Sequence, residues 1–354
     1  MNRTLNFRLF VDYCLFLLVR LFEEIFCLIP ESWALATGRF LGRCAFVLIP
    51  DRREAAVENL TIAFGKEQSH QWILTTARKS FEHLGMLGVE FFLIRRWDQQ
   101  EMDKRIVYEG KVPLNLTMMP GNHGIFLLSS HFGCFEVSAA TVKFLGIKTH
   151  LIMTPLKNPF LAKYMFSRAG EETGIITHSD KGVVQEMIRN MRNGEMLAVL
   201  GDQRGDAERG IFVNFFGSPA PANEVFAKLA IDGEARVLPL CTYRRDDGKY
   251  HSIWWDEIPI RVTGDKKQDL ITVSQQFHDM FEQWLRIRPE QGYWVQRKWR
   301  RKPSRRRSRQ LAALADQDNA SKLAMKAEDS ASPDSSGASV MANSNPNSPG
   351  VDPQ

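Results

Sequence analysis

The sequence predicts an α/β protein in which helices flank a mostly parallel central sheet. From about residue 105, short apolar runs alternate with stretches of helical periodicity, and this alternation is typical of a parallel sheet. The predicted strands are 124–128, 149–153, 196–200, 236–241 and 251–260. The predicted helices among them are 134–145, 158–172, 181–193, 222–233 and 267–287. With 354 residues and 44% hydrophobic content, the chain is long enough to bury a substantial core.

The residues before this region are predicted to be helical. Pro30 separates an apolar stretch at 5–30 from helices predicted at 33–48, 51–64 and 69–95. Charges interrupt the first stretch, and its longest uncharged apolar run, 13–19, is far shorter than the ~20 residues of a membrane-spanning helix. We expect either a helix lying in or dipping into one leaflet of a membrane or a buried core helix. This segment alone favours neither.

Composition divides the chain into three parts. They are apolar N-terminal helices at 1–50, an α/β domain at 51–303, and a tail at 304–354. Residues 297–309 hold nine basic side chains and no acidic one, a run that would attract the headgroups of an anionic membrane surface. Nucleic-acid binding and simple solvation are the alternatives; the apolar N-terminus favours the membrane, and we expect no nucleic acid. The tail beyond the basic run is predicted to be disordered.

The five cysteines give no sign of a metal centre or of a disulfide framework. They are scattered and odd in number, and no Cys-x-x-Cys or His cluster has metal-ligand spacing. Reduced thiols are the simplest expectation, and no metal or other cofactor is predicted.

The most informative motif follows the first predicted strand, where the sequence Ser129-Ser130-His131-Phe132-Gly133-Cys134-Phe135-Glu136 leads into a helix. On one continuous helix, His131 and Glu136 would point ~140° apart and would not meet. If His131 lies in the turn, Gly133 allows the backbone to fold the two side chains together. A carboxylate that fixes an imidazole makes a general base. The alternative is a chance spacing around a core or capping histidine.

Two further segments could belong to the same site. Asp202 and Gln203 follow the predicted strand 196–200, at the carboxyl edge where ligands of parallel sheets usually bind; capped turn residues are the alternative. Residues 210–220 are expected to form a loop that packs aromatic side chains around a slot rather than a strand. Its phenylalanines, Phe212, Phe215 and Phe216, are candidates for the lining of an apolar tunnel or for core packing.

In order along residues 5–303, these segments resemble the bacterial lipid A biosynthesis acyltransferase family. The motifs that carry the resemblance are Arg52-Arg53, Asn59-Leu60, Ala63-Phe64, His131 with Glu136, Asn158-Pro159, Arg168 with Gly174, 194–203, 210–217, Ala227 with Leu229-Ala230, Pro239, Pro289-Glu290-Gln291, Trp294 and Arg297. Each motif is weak alone, whereas the ordered set is specific.

The resemblance implies a glycerolipid-acyltransferase-like fold on the cytoplasmic face of the bacterial inner membrane. It implies transfer of an acyl chain from acyl carrier protein to a hydroxyl of a phosphoglycolipid, with His131 as general base and Glu136 as its partner. Direct attack on the thioester would need no metal and no covalent enzyme intermediate. The substrate-binding residues it implies are Arg168, Asp202, Gln203 and Arg297.

Two departures from the family pattern bear on the acceptor. Thr154 stands where the family often has Arg, and Gln296 stands where it often has His. The alternative is therefore a different acceptor lipid, such as a (lyso)phospholipid, an aminolipid or a phosphoinositide glycolipid, with acyl-CoA as a possible donor. A non-enzymatic peripheral membrane or nucleic-acid-binding protein is a third hypothesis, and it leaves the ordered motifs unexplained.

Overall fold

The computed structural model of the protein describes residues 2–110, 124–143, 149–153, 156–169, 173–177, 182–207 and 210–299. The described strands are β1 (Ile106–Glu109), β2 (Ile125–Ser129), β3 (Thr149–Met153), β4 (Thr173–Thr177), β5 (Met196–Leu200), β6 (Ile211–Phe215), β7 (Ser218–Ala222), β8 (Arg236–Arg244) and β9 (Tyr250–Trp254). Seven of them form one sheet in the order β1-β9-β8-β2-β5-β3-β4. All neighbours in it are parallel except β8 and β9, which confirms the predicted fold class.

Helices precede and flank the sheet. The described α-helices are α1 (Asn2–Leu28), α2 (Glu31–Leu48), α3 (Pro50–Phe64), α4 (His70–Leu93), α5 (Gln99–Arg105), α6 (Phe135–Lys143), α7 (Pro159–Ala169), α8 (Val183–Arg192), α9 (Glu224–Asp232) and α10 (Lys266–Ile287). Short 3-10 turns lie at Ile94–Arg96 and Pro289–Gln291. In the part of the chain that the structure describes, no helix combines the length and apolarity needed to cross a bilayer.

The central strand β2 is buried on both faces of the sheet. Phe126 and Leu128 point to a large core that includes residues of α3, α4, α9 and α10. Ile125 and Leu127 point to a second cluster on the other face. Side chains alternate between the two faces of a strand, so a parallel strand covered on both sides is a continuous apolar run. The sequence Ile-Phe-Leu-Leu therefore marks the centre of the sheet.

The helices α2 and α4 approach each other at glycine positions. A Cβ on Gly38 would meet the carbonyl oxygen of Gly85, and a Cβ on Gly42 would meet that of Phe81. Without side chains at these points, the two backbones pack closely. This pairing places the second half of α4 between the N-terminal helices and the sheet.

The expectation of a loop over 210–220 is wrong. This segment is a two-stranded antiparallel hairpin, β6–β7, in which Phe215 pairs with Ser218. Phe216 and Gly217 both have positive φ, 52° and 69°, as in the two-residue turns that match the twist of paired strands. The sequence hid the hairpin because β7 contains two prolines, which are compatible only with edge strands.

Other elements also differ from the predictions. The strands β1 and β4 were not predicted, and the segment predicted as a strand over 251–260 ends as a strand at Trp254. The predicted helix 158–172 is observed over Pro159–Ala169, and residues 170–172 lie outside the described residues. The predicted disordered tail lies outside the described residues, so its order stays a prediction.

Candidate active site

The turn after β2 is fixed by backbone contacts on both sides. Gly133 has φ of +59°, and a Cβ there would overlap the carbonyl oxygen of Thr242. The N–H of Gly133 donates to the carbonyl of Gln291 at 2.9 Å, and the N–H of Cys134 donates to that of Thr242 at 2.6 Å. Glycine is therefore required for both conformation and space. The turn holds the preceding His131 at the carboxyl edge of the sheet.

A buried polar network supports this turn from behind. His83 Nε2 donates to the carbonyl oxygen of Gly133 at 3.0 Å, and Nδ1 of the same ring lies 3.5 Å from the Arg244 guanidinium. Arg244 Nε donates to Glu90 at 3.1 Å, and the Tyr250 hydroxyl also donates to Glu90. Burial and the neighbouring guanidinium lower the pKa of His83 to about 3. His83 is therefore a neutral donor that anchors the turn.

His131 forms a hydrogen-bonded pair with Asp202, which follows β5. Nδ1 of the ring lies 2.8 Å from Oδ1 of Asp202, and each side chain is 24% exposed. A carboxylate can only accept, so Nδ1 carries the proton and Nε2 keeps a lone pair. This is the tautomer that a general base needs when its carboxylate partner orients it.

Two carboxylates set the charge of His131. Burial acts to lower the pKa of the ring, but the charge and hydrogen bond of Asp202, together with the charge of Glu136, outweigh it and raise the pKa above the usual value of 6.5. For Asp202, burial acts to raise the pKa, but the charge and hydrogen bond of His131 and the charge of Lys298 outweigh it and lower the pKa below its usual value. Asp202 therefore stays ionised beside His131.

Lys298 contacts the backbone carbonyl group of Asp202. Its Nζ donates to the backbone oxygen of Asp202 at 2.7 Å and faces Nε2 of His278 at 3.2 Å. His278 Nδ1 donates to the Ser274 carbonyl at 2.8 Å, so its Nε2 is an acceptor. Burial, followed by the Lys298 charge, lowers the pKa of His278 to about 3. This neutral ring accepts a hydrogen bond from the lysine.

Asn59 of α3 fixes the segment that carries Lys298. Its side-chain nitrogen donates to the carbonyls of Trp294 and Gln296, both at 2.7 Å, and its oxygen accepts from the Lys298 N–H at 3.3 Å. A single amide therefore binds three backbone groups of 294–298. The lysine is placed by α3 as well as by its own contacts.

A small cavity of about 50 Å³ opens at these side chains. Its lining consists of Asn59, Ser130, His131, Phe132, Asp202, Phe215, Phe281, Leu285, Tyr293, Trp294, Gln296, Lys298 and Trp299. The ring of Tyr293 lies 5.4 Å from that of His131 between centroids. The cavity brings one base, one carboxylate and one cation together among aromatic side chains.

A much larger apolar groove of about 840 Å³ adjoins this cavity. Its lining is mostly aliphatic and aromatic and comes from α1, α2, the start of α3, α4 and the segment 293–296. The lining residues are Val19, Phe22, Phe26, Leu41, Gly42, Ala45, Ile49, Arg52, Phe81, Leu84, Gly85, Gly88, Val89, Phe92, Tyr293, Val295 and Gln296. Tyr293 and Gln296 line both spaces. The groove therefore leads toward His131.

The structure brings some of the predicted site residues together. His131 and Asp202 touch, and Glu136, in the first turn of α6, is near enough to raise the pKa of His131. The contact to Nδ1 comes from Asp202, a residue predicted to position substrate, whereas Glu136 was predicted to orient the ring. Gln203 follows Asp202 and is half-buried.

Two other predicted residues lie differently. Arg297 pairs with Glu58 at 2.8 Å and with Asp51 at 3.0 Å, both on α3. The backbone of Arg168 lies in α7, but its side chain is outside the described part of the structure, as is Thr154. The roles predicted for Arg168, Gln203 and Arg297 therefore stay predictions.

Of the aromatic side chains considered for a tunnel, Phe212 is buried and Phe215 and Phe216 pack in the core. Phe215 stacks on Trp299 with centroids 5.4 Å apart and borders the small cavity. Phe216 packs edge-on against Phe64 at 5.1 Å. The large groove lies elsewhere, beside α4.

Sequence reasoning missed the roles of Lys298, His278 and Tyr293. Lys298 belongs to the basic run at 297–309, in which nothing distinguishes a buried cation from solvent-exposed ones. The useful signal was its setting between aromatic residues, Trp294 and Trp299, which predicts partial burial. His278 gave no signal, because a histidine inside an amphipathic helix has many possible partners.

Comparison with known proteins agrees with the resemblance seen in the sequence. The sequence model of the family described as "Bacterial lipid A biosynthesis acyltransferase" matches residues 3–301. A lipid A biosynthesis acyltransferase from Haemophilus influenzae is 23% identical over 211 residues, which cover 59% of this chain and 63% of that relative. The aligned part thus spans less than two thirds of the relative's length.

Proposed function

Because the chain belongs to the bacterial lipid A biosynthesis acyltransferase family, we propose that it transfers a fatty acyl chain from a thioester to a hydroxyl of a lipid A precursor. The observation that carries this proposal is the position of the His131–Asp202 pair where a small cavity meets a large apolar groove. The reaction requires a base for a hydroxyl group and a dry site for a hydrocarbon chain. The His131–Asp202 pair and the apolar groove lie next to each other and support these two requirements.

The proposed reaction begins when Nε2 of His131 removes the proton from the acceptor hydroxyl. The acceptor oxygen attacks the thioester carbonyl carbon, a C–O bond forms and the carbonyl electrons move to oxygen. Collapse of this intermediate breaks the C–S bond, and His131 returns the proton to the departing thiolate. Asp202 holds the tautomer and stabilises the imidazolium that forms, and Glu136 adds a second negative charge nearby.

The large groove is suited to the acyl chain of the donor. Each buried methylene gains about 0.8 kcal/mol, so an apolar lining of this size binds a long chain without polar contacts. Because Tyr293 and Gln296 border both spaces, a chain in the groove would place its thioester near His131. We assign the donor as acyl carrier protein, with acyl-CoA as the other thioester to be tested.

The remaining assignments concern substrate and membrane. We assign Arg168, Gln203 and Arg297 to binding of the phosphoglycolipid acceptor. Many apolar side chains of α1 and α2 are exposed, among them Phe7, Phe10, Leu28, Trp33 and Leu48, as expected for helices that lie on a membrane. We propose attachment to the cytoplasmic face of the bacterial inner membrane; failure to sediment with anionic vesicles would contradict it.

The test is an acyl-transfer assay on the full-length, detergent-solubilised protein. Acyl-loaded carrier protein and acyl-CoA are the donors, and an underacylated lipid A precursor, lysophospholipids and phosphoinositide glycolipids are the acceptors. We expect transfer to the precursor, and a loss of about 10²-fold or more in His131→Ala. Exposed His70→Ala is the matched control. Transfer only to another lipid would replace the acceptor, and no transfer to any acceptor by folded protein would refute the proposal.

A further inference from the structure

Lys298 lies beside the His131–Asp202 pair, and its surroundings are unusual for a lysine. The Lys298 side chain lines the small cavity together with His131 and Asp202. The charged end of a lysine usually stays in water unless it is paired with a carboxylate, whereas Lys298 is half-buried. Here its two described acceptors are a backbone carbonyl and a neutral imidazole.

These two acceptors leave part of the ammonium unused. An ammonium carries three N–H donors. One goes to the Asp202 carbonyl at 2.7 Å and one to Nε2 of His278 at 3.2 Å. No described oxygen or nitrogen accepts the third, and the other described neighbour of Nζ is the Phe215 ring, whose centroid lies 5.7 Å away. Lys298 is half-buried and lines the cavity, so its third N–H is available to a group that enters the cavity and accepts a hydrogen bond.

The proposed reaction supplies such a group. When the acceptor oxygen attacks the thioester, negative charge develops on the carbonyl oxygen, and a fixed donor stabilises it most effectively in a site that excludes water. We propose that Lys298 is a catalytic residue whose ammonium donates a hydrogen bond to this oxygen. The proposal rests on the proposed acyl transfer and adds the group that stabilises its oxyanion.

The position of Lys298 is set for this task by residues that do not react. Asn59 binds the Lys298 backbone N–H, and His278 and the Asp202 carbonyl hold its Nζ. A cation held in this way needs little reorganisation when charge develops. The same ammonium also opposes protonation of His131, so a cation here favours the free base.

The charge of Lys298 depends on pH in a range that can be tested. The groups that face it are His131, Asp202, Arg204 and His278. Burial lowers the pKa of Lys298 to about 8, with Asp202 acting against this shift and Arg204 adding to it. Lys298 is therefore charged below about pH 8 and neutral above it. We expect kcat/KM to fall on the alkaline side as this proton is lost.

The experiment compares Lys298→Met, Lys298→Arg and the exposed control Lys267→Met in the transfer assay. We expect Lys298→Met to lower kcat by about 10²-fold or more, the usual effect of removing one oxyanion donor, with little change in KM. Lys298→Arg should be more active than Lys298→Met and should lose the alkaline limb, because arginine does not titrate in this range. Lys267→Met should behave as wild type.

Either of two outcomes would overturn the proposal. One is a wild-type kcat in Lys298→Met, and the other is an unchanged alkaline limb of kcat/KM in Lys298→Arg. If Lys298→Met does not fold, the Lys298→Arg profile decides. If Lys298→Arg is inactive, ethylammonium is added to Lys298→Ala: saturable recovery supports the proposal and no recovery refutes it. A wild-type enzyme without transfer activity would instead refute the proposed function.

Discussion

Asp202 and Glu136 both place negative charge near His131, but they act on the ring in different ways. Asp202 accepts the Nδ1 hydrogen bond at 2.8 Å and therefore fixes the tautomer as well as the charge. The effect of Glu136 on His131 is electrostatic and smaller than that of Asp202. The two carboxylates can be separated by experiments that read tautomer and charge independently.

We expect Asp202→Asn to lower kcat by about 10²- to 10⁴-fold, because an amide can present an N–H to Nδ1 and select the wrong tautomer. Glu136→Gln should move the acidic limb of kcat/KM to lower pH, since the Glu136 charge raises the pKa of His131. The measurement is the pH dependence of acyl transfer by both variants. Full activity in Asp202→Asn would show that Glu136 orients the ring, as the sequence first suggested.

At the scale of residues, the sequence predicted the position of His131 in the fold better than the contacts of its side chain. A histidine between a buried strand and a helix must lie at the sheet edge, so His131 followed from local pattern. Asp202 was found as a residue of the same edge, but its contact with Nδ1 depends on strand order. The neighbouring position of β2 and β5, paired from Ile125 with Met196 to Ser129 with Leu200, cannot be deduced from spacing along the chain.

Helix α4 combines close packing and an open surface in a single turn. Gly85 packs against α2, where any Cβ would meet the Gly38 carbonyl. Gly88, one turn later, would meet nothing within 4 Å and lines the large groove. Substitution at Gly88 therefore changes the shape of the groove without disturbing the packing of the helices.

We expect the series Gly88→Ala, Gly88→Leu and Gly88→Phe to shift donor preference toward progressively shorter acyl chains. Each methylene excluded costs about 0.8 kcal/mol, or roughly fourfold in kcat/KM. The measurement is kcat/KM for acyl-carrier-protein donors of different chain length.

Thermal unfolding provides the control for the Gly88 series, because glycine within a helix costs about 1 kcal/mol relative to alanine. Gly88→Ala should therefore be at least as stable as wild type. An unchanged chain-length profile in Gly88→Phe, with normal stability, would place the acyl chain outside this groove.

Elements whose apolar residues repeat with a clear period were predicted well, and elements with a weak period were not. The helices α2, α3, α4 and α10 agree with their predicted ranges because their apolar positions repeat over several turns. The strands β1 and β4 have the sequences Ile-Val-Tyr-Glu and Thr-Gly-Ile-Ile-Thr, whose apolar runs are shorter than the runs of four and five residues in β2 and β5. Besides the prolines of β7, the turn of the β6–β7 hairpin gave no signal, because it relies on Phe216 at positive φ, which is uncommon for a residue with a bulky side chain.

On the scale of the whole molecule, the sheet edge is held between two neutral buried histidines. His83 supports the turn of His131 from α4, and His278 supports Lys298 from α10. Both have a pKa lowered to about 3, chiefly by burial. The same arrangement that orients the site therefore makes folding sensitive to acid.

We expect the free energy of unfolding to decrease as pH falls below about 6.5, where an unfolded histidine gains a proton and His83 and His278 do not. The loss is about 1.4 kcal/mol per pH unit for each of these two residues. His131 acts in the opposite sense: its raised pKa contributes stability at low pH, which is lost as pH rises through the folded value. On acidification, His83 and His278 therefore lower the free energy of unfolding of the protein, and His131 raises it.

Single substitutions separate these contributions. His83→Gln can still donate to the Gly133 carbonyl and His278→Gln can still accept from Lys298, but neither side chain titrates. Each variant should therefore lose less stability than wild type between pH 6.5 and 5, by about 2 kcal/mol, in denaturant unfolding of the detergent-solubilised protein. Exposed His70→Gln should follow the wild-type curve. If His83→Gln and His278→Gln follow it too, the two buried rings accept protons in the folded state, and their assignment as neutral supports of the site is wrong.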